Sequence, residues 1–228
     1  MPQWLSSGTP LGITLPIPRR GIFPESSATR AQLESAEYLA ARHGSYEVTS
    51  NYKSFEEYEQ ESAEEMKRLI DAGHLEVIGT WQDVERRWPG AMATKVATLV
   101  KRKDDGHVKT RFIVDMLRSG VNSLAEAGER IVLPRGCDLV KDVLALARQG
   151  GPLELFTADI SDAFLNLPVA EPERGYAVVR IGPGRFGAYC GVPFGLALAP
   201  LLWGRWRHSW GAWCRRCRTR PRTGRRST

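Results

Sequence analysis

No aspartate or glutamate follows Glu173, although the chain runs for 228 residues. Cysteine is scarce too. The four (Cys137, Cys190, Cys214 and Cys217) are too few and too scattered to read as a disulfide framework, so a reducing intracellular setting, nucleus or cytoplasm, is the simpler expectation. The apolar run Leu196–Gly204 is far short of a bilayer span and contains a proline, so no membrane partner is expected. The start, Met1-Pro2-Gln3-Trp4, lacks the basic segment and apolar core of a secretory signal. The histidines His43, His74 and His107 are dispersed and suggest no catalytic triad. Cys214-Arg215-Arg216-Cys217 is a lone pair with only His208 nearby, and one pair cannot fill a tetrahedral zinc site.

What is present suits a soluble globular protein with a real core: 42% hydrophobic and 25% charged residues. The net charge of +6 hides an asymmetry. Residues 1–173 carry all 26 acids against 20 bases, whereas residues 174–228 carry 12 arginines and no acid. A basic half is either a nucleic-acid footprint or a biased tail.

Residues 1–28 are rich in Pro, Gly and Ser and read as loop or a loosely docked arm. Thr29–Gln32 is a capping box for a short helix ending near Gly44. A second box, Ser54–Glu57, opens a better helix, with Phe55, Tyr58, Ser62, Met66, Leu69 and Ile70 on one face and a Glu64–Arg68 pair at favourable spacing. Gly73 stops it, and His74–Ile78 reads as a strand followed by a loop through Trp88-Pro89-Gly90.

Asp104-Asp105-Gly106 is a strong turn signal between the β-rich runs 95–103 and 107–115. Strand alternation puts Lys109, Arg111, Ile113 and Asp115 on one face. Asp138 is expected to cap a helix over 138–149 with Leu139, Val140, Val143, Leu144 and Ala147 on its apolar side. Leu153–Ile160 reads as a buried strand delivering Asp159. Residues 176–181 and 186–190 form a hairpin around Gly182-Pro183-Gly184. That turn matches the letters of a dinucleotide fingerprint but joins two strands and opens no helix, so the fingerprint is rejected. A helix starts after Pro193-Phe194-Gly195.

Asp159-Ile160-Ser161-Asp162-Ala163-Phe164 carries the chemistry. A strand-end carboxylate is costly unless paired or metal-bound, and magnesium needs such hard oxygen ligands. Taken alone, Asp-x-x-Asp is more often a cap or a surface acid.

Its neighbours add specificity. Lys101–Gly106, Arg111–Asp115 with Val121-Asn122, Asp159–Phe164, and Val192–Leu196 with Ala199-Pro200 stand in one order. That order resembles the reverse transcriptases of retroelements: the fingers hairpin, the first catalytic motif of the palm and the motif after it. The resemblance covers about residues 50–204.

It implies an α+β fold of fingers and partial palm, a mostly antiparallel sheet flanked by helices. It divides the chain into an N-terminal extension (1–50), the fingers and partial palm (51–204) and an Arg/Trp-rich tail (205–228). It also implies RNA-directed DNA synthesis from deoxynucleoside triphosphates on an RNA or DNA template-primer, with magnesium. Asp159 and the carbonyl of Ile160 would hold the metal. Arg111 with Lys101 or Lys103 would clamp the triphosphate. Asp162, Ala163, Phe164, Phe194 and Gly195, with Pro193, would line the nucleotide pocket, Phe164 as the ring that excludes a 2′-hydroxyl; a core phenylalanine after a strand is the rival for that residue. Asp115, Arg118 and Asn122 are read as structural.

The family's palm needs a further Asp-Asp pair, and no acid stands after Glu173. The expectation is therefore a truncated polymerase with little or no activity alone, with a non-catalytic nucleic-acid-binding remnant or a pseudogene product as alternatives. Trp203, Trp206, Trp210 and Trp213 recur at helical spacing, so an Arg-Trp helix could bind nucleic acid. A reading frame that slips after about Arg205 is preferred.

Overall fold

The computed structural model describes residues 4–26, 47–102, 104, 106, 108–150 and 159–207. The fold is α+β. A four-stranded sheet has the order β1 (Leu75–Gly79), β6 (Arg185–Tyr189), β5 (Val178–Gly182), β2 (Ala93–Thr94). Its β1–β6 and β6–β5 pairs are antiparallel and β2–β5 is parallel. A separate antiparallel hairpin joins β3 (Val96–Arg102) to β4 (Val108–Val114). As the sequence predicts, Gly182-Pro183-Gly184 turns β5 into β6, with Gly184 at φ 61°.

Alternation along the strands divides two cores. Val178, Phe186 and Ala188 face Val84 and Trp88, while Val179 and Tyr189 face the larger core with Met66, Leu69 and Leu75. The smaller core is covered by α4 (Trp81–Arg87), where the sequence reading placed only loop. Thr80 and Asp83 cap it: the Asp83 carboxylate accepts from the Thr80 N–H at 2.9 Å. Trp81 meets Phe186 edge-on with centroids 5.2 Å apart.

The predicted helix after residue 54 is two helices, α2 (Lys53–Glu57) and α3 (Glu59–Asp71), numbered after the short α1 (Trp4–Ser7). Ser62, Met66 and Leu69 are buried as expected, and each large apolar side chain so placed contributes about 1.5–3 kcal/mol. Tyr58 stays exposed. Ser54 does not cap; its hydroxyl accepts from the Thr98 N–H at 3.2 Å and ties α2 to the hairpin. Gly73, at φ 71°, ends α3.

Between Val121–Leu124 (α5) and the second half of the sheet lies α6 (Gly136–Ala147). Asp138 sits inside its first turn and accepts from the Arg135 N–H at 2.9 Å, rather than acting as the cap residue. The apolar face expected to be buried is open: Leu139, Val140 and Leu144 are each more than half exposed. The expected strand over 153–160 lies largely outside the described residues, and Asp159 and Ile160 are not in a strand. Residues 199–207 form the last described helix, α7.

The N-terminal arm is irregular, as its composition suggests, and is held at two carboxylates. Buried Glu173 accepts from the backbone N–H groups of Leu11, Ile13, Thr14 and Leu15 at 2.5–2.9 Å. Glu129 accepts from Arg20 and Gly21. The helix expected over 29–44 lies outside the described residues. No helix among the described residues is long and apolar enough to cross a membrane.

Candidate nucleotide and nucleic-acid site

The hairpin builds the first wall. On the face turned to α3, Thr98 shares a hydrogen bond with Ser62 at 2.7 Å, and Phe112 packs against Phe55 with centroids 5.8 Å apart. Arg102, of the same parity, pairs with Glu61 at 3.0 Å. The opposite face carries Lys101 opposite Lys109 and Leu99 opposite Arg111. All four side chains are exposed. Two lysines directly across a ladder repel, a local cost that a bound anion would offset. None of the three cations makes an ion pair with an acid among the described residues. Lys103 lies outside them.

The hairpin's base is fixed by side chains that the motif search left in structural roles. Asp115 accepts from the Tyr52 hydroxyl and from the Arg118 N–H. The Tyr52 hydrogen bond, above all, holds the Asp115 carboxyl below its usual range, against the opposing effect of burial. Asn51, which the sequence reading missed, spans both sheets: it donates to the Arg180 carbonyl at 2.9 Å and accepts from the Val96 N–H at 3.1 Å.

The second wall is the turn at 193–195. Gly195 has φ 114°, and a Cβ there would overlap the Val114 carbonyl at the end of β4. Asn122 Nδ2 donates to the Gly195 carbonyl at 2.9 Å, and its Oδ1 accepts from the Ala197 N–H at 2.8 Å. Phe194 is nearly half exposed.

The third wall is the segment 159–166. Asp159 is exposed and Ile160 half-buried. The chain then winds through a turn closed by Asn166, which donates to the Ser161 carbonyl at 3.0 Å. Phe164 meets Phe194 with ring centroids 5.1 Å apart and Trp203 of α7 at 6.5 Å. Half-buried, it packs on the large core and also reaches the turn. Asp162 is turned to α3, where Arg68 Nη1 meets it at 2.7 Å, and Ala163 beside it is half-buried. Arg68 also chelates Glu65, at 2.8 and 2.9 Å, in place of the Glu64 partner expected from spacing. Glu64 accepts from Gln60 instead.

Thus Phe164, Phe194, Gly195 and the strand bearing Arg111 come together. Lys101 lies farther out on the hairpin, well beyond Val96, which pairs with Val114 at its base.

The donor set for magnesium is thin. Asp159 offers a carboxylate and Ile160 a carbonyl, while Asp162 is engaged by Arg68. Among the described residues no three His, Cys, Asp or Glu side chains gather where a metal could sit. Two ions a few ångströms apart need more oxygen ligands than this, so the described residues do not make a two-ion site.

The arm, the stretch from Asn122 to Ile131 and residues Ala197, Leu198 and Leu201 line a cleft of about 1080 Å³. Below it Arg205 Nη2 meets Glu129 at 2.6 Å, both side chains buried, and Arg205 Nη1 donates to the Pro18 carbonyl at 2.9 Å. Burial works to raise the Glu129 pKa, but Arg205 and the N–H groups of Arg20 and Gly21 outweigh it and hold the carboxyl low. Arg205 is therefore part of the core, and the next residue, Trp206, stacks on Trp203 with ring centroids 4.7 Å apart. Cys214, Cys217, Trp210 and Trp213 lie outside the described residues. No protein-family model matches the chain, and no curated protein matches it.

Proposed function

We propose that the chain is the fingers and partial palm of a reverse transcriptase, a surface that holds a deoxynucleoside triphosphate against an RNA or DNA template-primer. The observation that carries this is the meeting of three separated motifs: the 193–195 turn seated on the end of β4, and Phe164 against Phe194. Val114 and Gly195 are far apart in sequence, as are Phe164 and Phe194, and a common role would account for their meeting.

In this reading Arg111 and Lys101 receive the phosphates, where fixed positive charge is most useful to phosphoryl transfer. Phe164 lies under the sugar, and Phe194 with Gly195 borders the base pair. Asp159 faces the solvent side of the same turn. Magnesium, if bound, would find its carboxylate, but the described ligands fall short of two-ion catalysis. Such a protein works wherever its template is, in the nucleus or cytoplasm.

A second reading for this chain is nucleic-acid binding without synthesis, motivated by the exposed cations of the hairpin. Primer extension on an RNA template separates the two. Incorporation that Asp159→Ala abolishes supports a polymerase. Salt-sensitive template-primer binding without incorporation supports the binding remnant. A chain that neither binds nor unfolds cooperatively is a product without either role.

A further inference from the structure

We infer that Arg68 is a positioning residue: from helix α3 it holds Asp162 and so fixes the turn that presents Asp159 and Phe164. This rests on the nucleotide-site reading given above and adds to it a residue outside every motif that suggested it.

Asp162 is the only non-glycine among the described residues with positive φ, at 50°. Left-handed backbone is disfavoured for an L-residue, although aspartate tolerates it better than most. Something must hold it there. Asn166 contributes from within the turn: its N–H donates to the Asp162 carbonyl at 3.2 Å, and its side chain binds Ser161. Among the described residues, the only side-chain partner of the Asp162 carboxylate is Arg68, 94 residues earlier.

Arg68 is itself not free to swing. Two parallel hydrogen bonds to Glu65, one turn earlier on α3, hold its guanidinium in a fixed plane. Glu65 is largely covered, and α3 is anchored by Met66 and Leu69 in the core. The chain of restraint therefore runs from the core through Glu65 and Arg68 to Asp162. Three residues on comes Phe164's neighbour Leu165, buried; three residues back lies Asp159.

An ordinary surface ion pair between exposed side chains adds little to stability. Here its consequence is orientation, because releasing Asp162 lets the backbone leave the left-handed region and redirects both flanks of the turn.

The test compares wild type, Arg68→Met, Asp162→Asn and the double variant. Amide exchange across residues 159–166 and the affinity for a fluorescent deoxynucleoside triphosphate with magnesium are both measured. Each single variant is expected to speed exchange in this turn and weaken nucleotide binding about two- to fivefold, the range open to a partly exposed pair, with the double variant no worse than either. Arg68→Lys should recover part of the loss. Asp162→Gly, which keeps the positive φ without strain, separates loss of the pair from loss of the backbone shape. Unchanged exchange in 159–166, or fully additive effects, would overturn the role of Arg68. If the wild type binds no nucleotide, the site reading fails, and the exchange cycle still decides whether Arg68 governs the turn.

Discussion

Asn122 grips Gly195 and its successor with both ends of its amide, at 2.9 Å to the Gly195 carbonyl and 2.8 Å from the Ala197 N–H. The two residues are 73 apart in sequence. This pair fastens the turn to the segment that follows β4. Asn122→Ala removes both bonds, but water can replace them at this exposed turn, so thermal unfolding should show a loss of about 0.5–1.5 kcal/mol for each. Asn122→Asp keeps the acceptor but sets a negative charge beside the Gly195 carbonyl, and it should not restore the loss.

Gly195 and Gly184 make a matched comparison. Both have positive φ, but a Cβ at Gly184 meets nothing within 4 Å, whereas one at Gly195 overlaps the Val114 carbonyl. Gly184→Ala should cost about 1–2 kcal/mol, the strain of left-handed backbone alone. Gly195→Ala should cost clearly more and displace the end of β4. Equal destabilisation of the two in denaturant unfolding would mean that the turn is not seated on β4.

The buried Glu129–Arg205 pair predicts asymmetry. Arg205→Met leaves a carboxylate uncompensated in the core, a change that costs about 3–5 kcal/mol when one partner of a buried pair is removed. Glu129→Gln with Arg205→Met should recover part of this, because the amide oxygen still accepts from Arg20 and Gly21. Urea unfolding of the two variants measures the difference.

Acid should weaken the fold through the same side chain and through Asp115. Both carboxyls are held below their ordinary values in the folded chain. Below those ordinary values the unfolded state therefore binds more protons, and stability falls as pH falls. The contribution is full at neutral pH and is lost from about 4.5 downward, beginning with Glu129 and continuing with Asp115. Denaturant midpoints measured between neutrality and pH 3 should decline in this window. Asp115→Asn should flatten the slope.

Local patterns made much of the fold legible. Asp104-Asp105-Gly106 and Gly182-Pro183-Gly184 marked hairpins because their turn chemistry is specific, and the period of α3 exposed its buried face. Helix α4 was hidden by its Trp, Pro and Gly surroundings, although Thr80 and Asp83 at capping spacing carried the signal. The open face of α6 could not be foreseen, since an apolar stripe says that burial is favourable and not what supplies the cover. In the site, the motif residues were visible as letters. Asn51, Tyr52, Arg68 and Glu129 were not, because each acts on a partner more than 60 residues away except Asn51 on Val96.

Under the proposed reading, Lys101, Lys109 and Arg111 on the open face of the hairpin receive nucleic-acid or nucleotide phosphates. The most direct measurement of this is the salt dependence of binding to a labelled template-primer hairpin, for wild type and for the triple alanine variant of the three cations. The wild type should bind with an affinity that falls steeply with salt, and the variant should bind more weakly with a logarithmic slope lower by about three, close to one per phosphate contact removed. Equal affinity and equal slope for the two proteins would contradict the account.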